Sequence, residues 1–564
     1  MCGIWGLIQK YKLDSNNNNI NNLLKDFWNL KHRGPDNSQL HSFDNSFIGF
    51  HRLAIMNNNF TGNQPFIFNE LNRTIVFICN GEIYNFNELD IEYDLNINMS
   101  DCMSIPKLYI KLGLTKWLEL FNNEIKGEFA FMLFEFDNMN HLTQYIVGRD
   151  MIGVRPLYTI EQNDIIDVYS SEIKGLQSYN GVVTEFTPGT IKVVKMYSFP
   201  ILAEGQIVNH TINVINFANI YNIPTTLYKC NILDDIRNSV YNSIKRRLTS
   251  ERPIAFLLSG GVDSSLVAAI SMKILGKPIH TFCCGIKGST DMKYAKIVAE
   301  YIGSIHTEVY FTAEEGLELI DDVIYTTETW DTTTIRASVG QYIVSRYIAQ
   351  HTDCKVILVG EGPDEVCSSY LFNHYAPSSI ALHEAAIEYV KNIHMYDGRR
   401  ADRCISRWGM ECRVAFLDPE FIRSYWSIEP RDRDPKYNNM IEKYMLRKAF
   451  DKMNLLPNEV LWRKKEAFSD GISSKEKSWF QMIQEYVTNK INDNRDVFTR
   501  FQQELGINLT NEALYYRYLF RKHFGSNRDD IIPNFWQPKW DKDGKVILEY
   551  VDPSARVLDI YNSN

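Results

Sequence analysis

A short apolar run, Ile254-Ala255-Phe256-Leu257-Leu258, leads directly into Ser259-Gly260-Gly261-Val262-Asp263-Ser264-Ser265, and a helical pattern follows over 263–275. A continuous apolar run of this length reads as a strand buried on both faces, as in a parallel sheet. The two glycines let the backbone adopt conformations that a side chain would block. Successive N–H groups can then converge on one anion at a helix N-terminus. Ser264 and Ser265 add hydroxyl donors. Asp263 would repel a bare phosphate, so its presence implies Mg²⁺ between the two. The alternative is a plain helix cap, since Ser and Asp suit a first turn.

Working outward, strand and helix patterns alternate. Residues 230–247 read as a helix, Ile279–Cys284 as a strand, Tyr294–Ile302 as a helix, Gln341–Ile348 as a helix and Val356–Val359 as a third apolar strand. This alternation predicts an α/β parallel-sheet domain with added helices. Ligands in such sheets sit beyond the carboxyl ends of the strands. That rule selects the loops 259–264, 285–291 and 360–365. Residues beyond about 425 read as helical and aromatic-rich.

The first part of the chain reads differently. Thr74–Cys79, Phe129–Phe136 and Tyr145–Val147 are strand-like and separated by Gly, Asn and Asp turns, and Leu108–Leu120 is helical. Pro188-Gly189 opens a last strand pair. An α+β layered sheet sandwich over 2–205 is expected, then a connection, then the α/β domain over 225–564. The runs Asn16–Asn19 and Asn57–Asn59 read as surface loop insertions without a functional role.

The chain of 564 residues is 45% hydrophobic and 23% charged, with a net charge of −9. Two to four domains are expected. The charge gives no basic footprint for nucleic acid. Ten cysteines in this length are too sparse for a disulfide scaffold, and no zinc-type spacing is present. Reduced thiols in the cytoplasm are the simplest expectation. No signal-peptide pattern and no uninterrupted apolar stretch of membrane-spanning length occurs, so no membrane association is expected.

The chain begins Met1-Cys2-Gly3-Ile4-Trp5-Gly6. Trimming of Met1 would leave Cys2 with a free α-amine beside its thiol. One residue would then carry nucleophile and base, the arrangement of N-terminal nucleophile hydrolases.

A Cys-Gly-Ile start joined to SGGVDSS resembles the glutamine-hydrolysing asparagine synthetase family. SGGVDSS itself resembles the pyrophosphate loop of ATP pyrophosphatases. Further segments carry the resemblance from Met1 to about Ser473. They include His32-Arg33-Gly34-Pro35-Asp36, His51-Arg52-Leu53-Ala54-Ile55, Asn80-Gly81-Glu82-Ile83-Tyr84-Asn85, Ser100-Asp101-Cys102, Gly153-Val154-Arg155-Pro156, Glu361-Gly362-Pro363-Asp364-Glu365, Trp408-Gly409-Met410-Glu411-Cys412-Arg413 and Trp462-Arg463-Lys464-Lys465-Glu466.

The resemblance implies roles residue by residue. Cys2 would attack the glutamine side-chain amide, with Asn80 and Gly81 stabilising the oxyanion. Arg52 would pair with the substrate α-carboxylate, flanked by Leu53, Ala54, Ile55 and Met56. Glu82 and Asp101 would hold the α-ammonium or its surroundings. In the second domain, Ser259, Gly260, Gly261, Asp263, Ser264 and Ser265 would bind the ATP phosphates, with Mg²⁺ on Asp263 and Asp364. Leu257, Cys284, Val359 and Gly360 would contact adenosine. Glu361 would be the acid/base group, and Lys465 would stabilise charge on the phosphates. Arg336 and Glu411 are candidates for substrate placement, an internal salt bridge being the alternative for each.

The implied reaction activates aspartate as β-aspartyl-AMP and delivers ammonia from Cys2 through a shielded path. A homodimer is implied by the resemblance only. The acidic loop departs from the family pattern at Val359, Pro363 and Ser368-Ser369. Pro363 removes an N–H and fixes φ, which is expected to weaken phosphate binding if that N–H serves it. Competing readings are a related synthetase acting on another carboxylic acid, or a weakly active regulatory relative.

Overall fold

The computed structural model describes residues 1–9, 20–44, 46–97, 100–162, 166–198, 207–225, 231–464, 471–473, 477–549, 551–552 and 554. Asn16–Asn19 and Lys465 therefore lie outside the described residues.

Twelve strands build the first half: β1 (Gly3–Gln9), β2 (Asn37–Phe43), β3 (Ser46–Arg52), β4 (Phe66–Glu70), β5 (Arg73–Ile83), β6 (Gly127–Asp137), β7 (Leu142–Arg149), β8 (Tyr158–Gln162), β9 (Ile166–Ser170), β10 (Thr184–Glu185), β11 (Thr190–Ser198) and β12 (Ile207–Asn216). They form two antiparallel sheets, ordered β10-β8-β9-β1-β3-β2 and β12-β11-β7-β6-β5-β4. β12 falls in the connection expected between the two units and pairs along β11.

Strand periodicity explains the layering. Val76 and Ile78 of β5 join Ala130, Met132 and Phe134 of β6 and Ile4 and Ile8 of β1 in a core between the sheets. The alternate residues Ile75, Phe77, Phe131 and Leu133 face the other way, onto the helix α1 (Ser104–Leu120), where Trp117 meets Phe131 edge-on. Successive side chains point to opposite faces, so both faces of these strands are apolar. Each fully buried side chain contributes roughly 1.5–3 kcal/mol. A Cβ at Gly6 would lie 2.4 Å from the Met132 methyl, so glycine there allows the sheets their close approach.

The second half is a five-stranded parallel sheet, ordered β15-β14-β13-β16-β17. Its strands are β13 (Ile254–Leu257), β14 (His280–Gly285), β15 (Ile305–Tyr310), β16 (Val356–Val359) and β17 (Glu411–Val414). The sequence reading contained only β13, β14 and β16. β15 is an edge strand with an alternating pattern, and β17 has four residues. The helix α2 (Thr332–His351) is longer than the expected Gln341–Ile348. Its extra turns begin at Asp331, whose carboxylate accepts the Thr334 N–H at 2.8 Å as an N-cap. Because β13 lies between β14 and β16, the loops that follow these three strands are neighbours in space.

The halves meet across buried charges. Arg33 pairs with Glu172 at 2.6 Å and with Asp402 at 2.8 Å. Asp402 stands on α3 (Asp397–Ser406). Glu128 accepts from Arg155 and Arg247, at 3.1 and 2.7 Å, and Arg247 also holds Asp418 at 2.7 Å.

Candidate active sites

The first site lies where β1, β3 and β5 approach one another. Cys2 precedes β1 and packs at the edge of both first-half cores. Its Sγ receives the Leu53 N–H at 3.4 Å and lies 3.7 Å from the Leu53 carbonyl. Arg33 Nε donates to the Cys2 carbonyl at 2.9 Å, which fixes the Cys2 backbone. Met1 is buried, its amine donating to the Met410 carbonyl at 3.3 Å and its sulfur receiving an Arg155 N–H. Burial pushes the Cys2 thiol up to about 11 and the Met1 ammonium down to about 6. With Met1 attached the thiol is a poor nucleophile.

Asn80 and Gly81 lie near the end of β5. The Asn80 side chain is 1% exposed, and its Nδ2 finds no hydrogen-bond partner among the described residues. An unpaired buried donor costs stability and marks a place where an acceptor belongs. A Cβ at Gly81 would meet the Glu128 carbonyl at 2.5 Å.

The other expected first-site residues are engaged with the protein. The Arg52 guanidinium donates to the carbonyls of Asn57, Asn59 (2.6 Å) and Met56 (3.4 Å), and to Asn63 Oδ1 at 2.8 Å. Glu82 pairs with Arg413 of the second half at 3.3 Å. Burial, with Glu411 and Asp101 nearby, raises the Glu82 pKa well above its ordinary value. Asp101 accepts the Ile83 N–H at 2.7 Å and the Ser100 hydroxyl at 3.2 Å, and burial raises its pKa too. Leu53 and Ile55 are buried, and the Ala54 N–H is bound to Asp36 at 2.8 Å. Met56 and Asp101 line an open surface cavity together with Asn57, Asn58 and Asn59; Cys2, Arg52, Asn80 and Gly81 are not part of its lining. The Asn57–Asn59 run is a surface loop, as expected, and it also holds Arg52. Its carbonyls clamp Arg52 and its side chains border the cavity.

The second site is a cavity at the carboxyl ends of β13, β14 and β16. Leu257, Ser259, Gly261, Asp263, Ser264, Cys284, Gly360, Glu361 and Asp364 all line it. Val359 does not. It is 1% exposed at the end of β16, where the apolar interior takes its side chain. Gly260 has φ +72°, and a Cβ there would meet the Ala295 N at 2.5 Å. At Gly360 a Cβ would lie 2.6 Å from the Ser264 N, so glycine lets β16 end against the loop. The Ser259 and Ser264 hydroxyls bond at 3.0 Å. The buried Asp263 Oδ1 and Ser265 Oγ find no partner among the described residues. Glu361 accepts from Gln341 at 3.0 Å and Arg400 at 3.1 Å, and burial raises its pKa.

Lys443 is the main residue that the sequence reading missed. Its ammonium, 1% exposed, bridges Asp263 and Asp364, the latter at 2.6 Å. Burial disfavours that charge, but the two carboxylates outweigh it and raise its pKa above the ordinary lysine value. Nothing in the local sequence announces this, because Lys443 reaches the site from a left-handed residue (φ +58°) before a helix. Arg447, Arg463 and Lys464 also line the cavity. The last two stand in the quoted Trp-Arg-Lys-Lys-Glu segment, whose Lys465 is outside the described residues. Two further candidates form the internal salt bridges given as their alternative. Arg336 is held by Glu512 at 2.6 Å and Asp552 at 2.9 Å, and Glu411 by Arg413 at 2.8 Å.

Pro363 stands at the first position of the short helix Pro363–Val366, where a missing N–H leaves no helical bond unmade. Ser368 takes φ +52°, in the left-handed region that favours glycine. The Ser369 hydroxyl bonds Asp364.

A guarded cysteine on a double antiparallel sheet, joined to a phosphate-type loop on a parallel sheet, defines a two-site amidotransferase coupled to a nucleotide-using synthetase. Comparison with known proteins narrows this class. Residues 1–229 match the glutamine amidotransferase domain, and residues 235–388 and 376–551 match asparagine synthase. The chain is 37% identical over 589 residues to the asparagine synthetase [glutamine-hydrolyzing] of Mus musculus, and 36% identical over 586 residues to that of Homo sapiens; both matches cover 100% of this chain and 99% of the relative. Among solved structures, the glutamine phosphoribosylpyrophosphate amidotransferase of B. subtilis matches at 17% identity and a TM-score of 0.30, covering 50% of this chain and 66% of that one. The chain belongs to the glutamine-hydrolysing asparagine synthetase family. Among the described residues no helix is long and apolar enough to cross a membrane.

Proposed function

We propose that the enzyme makes asparagine from aspartate, with glutamine as nitrogen donor and ATP as activating nucleotide. The observation that supports this most is the pairing, in one chain, of an unpartnered Asn80 amide in the half that opens with Cys2 with an unpartnered Asp263 oxygen and Ser265 hydroxyl in the loop after β13. The glutaminase unit covers residues 2–205 with β12, and the synthetase unit 225–564. The enzyme works in the cytoplasm as a homodimer; all nine described cysteines are unbridged, as a reducing compartment requires.

At the first site, loss of Met1 gives Cys2 its own amine. The amine takes the thiol proton, and Sγ attacks the glutamine amide carbon. Asn80 Nδ2 and the Gly81 backbone stabilise the oxyanion, and ammonia leaves. Water then releases glutamate from the thioester. Arg52 and Asp101 orient the amino-acid end of glutamine, with Leu53 to Met56 and Glu82 around it.

At the second site, the loop from Ser259 to Ser265 holds the pyrophosphate portion of ATP, and Leu257, Cys284 and Gly360 border the nucleoside. The aspartate β-carboxylate attacks the α-phosphorus, and pyrophosphate leaves. Ammonia then attacks the acyl carbon, AMP leaves, and Glu361 takes the proton. Asp263 and Asp364 are hard oxygen donors suited to Mg²⁺, which would supply charge neutralisation on the phosphates. Lys443 holds that place between the carboxylates in this structure. The family resemblance gives Lys465 the role of stabilising charge on the phosphates.

The test is pyrophosphate and asparagine formation from MgATP and aspartate, with glutamine or ammonium, in the wild type and Cys2→Ala. Product from both nitrogen sources, with Cys2→Ala losing only the glutamine route, is expected. Absence of asparagine from both sources in the wild type overturns the reading.

A further inference from the structure

Lys443 reaches the second site from an unusual stretch of backbone. Asn439, Met440 and Lys443 all take left-handed conformations, with φ +55°, +59° and +58°. Asparagine tolerates that region, but methionine and lysine adopt it rarely, because their Cβ crowds the backbone carbonyl. Such a conformation persists only where the surrounding contacts over-determine it. Here it carries a buried ammonium to a place between Asp263 and Asp364.

The contacts that hold this stretch come largely from the segment that follows the acidic loop. Glu442 directly precedes Lys443, and its Oε1 lies 2.9 Å from His374 Nε2. A carboxylate oxygen accepts, so Nε2 donates. His374 stands in the short helical turn Leu371–Tyr375, after the acidic loop that carries Asp364. Both side chains are buried, and neither lines the cavity. His374 Nδ1 is buried without a partner among the described residues, so the bond to Glu442 is what orients the ring. The Glu442 carbonyl accepts from Arg447 Nε at 2.8 Å. Farther from the site the same two segments are laced by Lys436 with the Ala376 carbonyl, and by Ser379 with Asp434 at 2.6 Å. Burying a charged pair costs desolvation that its own attraction offsets only in part. The His374–Glu442 pair touches no ligand, and what it controls is the residue next to it, Lys443.

We propose that His374 and Glu442 are positioning residues of the second site: their buried hydrogen bond fixes the backbone of residues 439–443 and thereby sets the Lys443 ammonium against the carboxylates of the phosphate loop and the acidic loop. This rests on the synthetase reading above. Neither residue touches ATP, and each acts through Lys443.

The test uses the full chain with His374→Leu, His374→Gln, His374→Leu with Glu442→Leu, Lys443→Met, and His374→Leu with Lys443→Met. The Kd of MgATP is measured by calorimetry, beside asparagine formation from ammonium and hydrolysis of glutamine. For His374→Leu, Kd and KM for MgATP rise roughly tenfold, while glutamine hydrolysis stays within about twofold. His374→Gln, whose amide nitrogen reaches where Nε2 does, recovers most of the loss. Replacing both partners leaves no unpaired buried charge, so His374→Leu with Glu442→Leu keeps the fold even where His374→Leu alone does not, and its MgATP binding stays weak. In the Lys443→Met background, His374→Leu changes Kd by less than about twofold, because groups that act through one residue are not additive. Full addition of the two losses overturns the proposal, and so does wild-type affinity when both His374 and Glu442 are replaced by leucine. A parallel fall of glutamine hydrolysis overturns it too, marking the pair as a support of the whole fold. Where Lys443→Met binds MgATP too weakly to measure, recovery by His374→Gln but not by the doubly substituted chain decides. If the wild type makes no asparagine from either nitrogen source, the synthetase reading falls as well. If it does and His374→Leu binds MgATP as the wild type does, only this inference falls.

Discussion

The two sites are built on opposite principles. In the first, most polar groups already have partners within the protein. Arg52 is clamped by four acceptors of the 56–63 loop, and Asp101 by a backbone N–H. Among the described residues, the Asn80 Nδ2 amide there is buried and unpartnered. In the second, opposite charges face each other across a cavity, with Lys443 bridging Asp263 and Asp364. The difference follows the chemistry. Attack by a thiolate on an amide needs one nucleophile, one donor and a rigid frame. Handling a polyanion needs charges that can exchange one partner for another. A fixed hydrogen-bonded frame keeps its geometry when empty, and exchangeable ion pairs keep a charged cavity neutral until the ligand arrives.

The largest expected effects would separate the sites outright. Cys2→Ala should bring glutamine-dependent asparagine to background while ammonium still supports synthesis. Chains that retain Met1, identified by mass spectrometry of the intact protein, should show the same phenotype, because burial holds the Cys2 thiol near pKa 11. Glu361→Gln should do the reverse, lowering synthesis from both nitrogen sources by roughly 10²–10⁴-fold and leaving glutamine hydrolysis measurable. Asn80→Ala should cost glutamine hydrolysis about 10²–10³-fold in kcat, with the ammonium route intact. If Asn80→Ala slowed both routes equally, the picture of a rigid first site separate from the second would break.

Much of this division was legible in the residues. The apolar run before Ser259 and the glycines after it placed the phosphate loop, and the strand–helix alternation placed its sheet. Cys2, Asn80 and Glu361 stood in quoted segments; Glu361 lines the cavity beyond β13, β14 and β16, while Cys2 precedes β1 and Asn80 lies near the end of β5. Lys443 and Arg400 were not legible. Each reaches its site by tertiary packing from an element whose local sequence is an ordinary turn or helix. The Arg52 contacts of the Asn57–Asn59 run were hidden for a related reason. It uses mainly its backbone carbonyls, which every residue has, so composition carries no signal of the role.

A smaller effect tests whether the frame of the first site extends through the interface. Arg33 holds the Cys2 carbonyl and pairs with Asp402 of α3, and Arg400 of the same helix holds Glu361. One helix thus touches the frames of both sites. Burial alone would raise the Asp402 pKa, but Arg33 and Arg403 outweigh it and hold the carboxyl below its usual range. A carboxylate depressed in the folded state stabilises the fold above its unfolded pKa, about 4. That contribution is lost as pH falls through the lower folded value. Asp402→Asn should therefore destabilise the protein by about 3–5 kcal/mol at neutral pH, as removal of one partner from a buried pair does. The loss relative to wild type should shrink as pH falls below about 4, checked by denaturant titration.

The smallest effect concerns the residue that looked most disruptive in the sequence. Pro363 lacks an N–H in the loop carrying Glu361 and Asp364, and on sequence grounds it threatens phosphate binding. In the fold it occupies the first position of a helix, after Gly362 at φ +110°, and the Cys367 N–H bonds the Pro363 carbonyl at 2.9 Å. The ring's fixed φ suits that position, and the absent donor belongs to the set that a helix start leaves unbonded. Proline there also reduces the freedom of the unfolded chain. Pro363→Ser should thus lower stability by about 0.4–1 kcal/mol and leave KM for ATP within about twofold, under 0.5 kcal/mol. A marked fall in KM for ATP would mean that a serine N–H or hydroxyl adds a phosphate contact the present loop lacks. The second site would then depend on a fixed backbone donor as the first depends on Asn80, and the contrast between a rigid site and an exchangeable one would narrow to Lys443 and its two carboxylates.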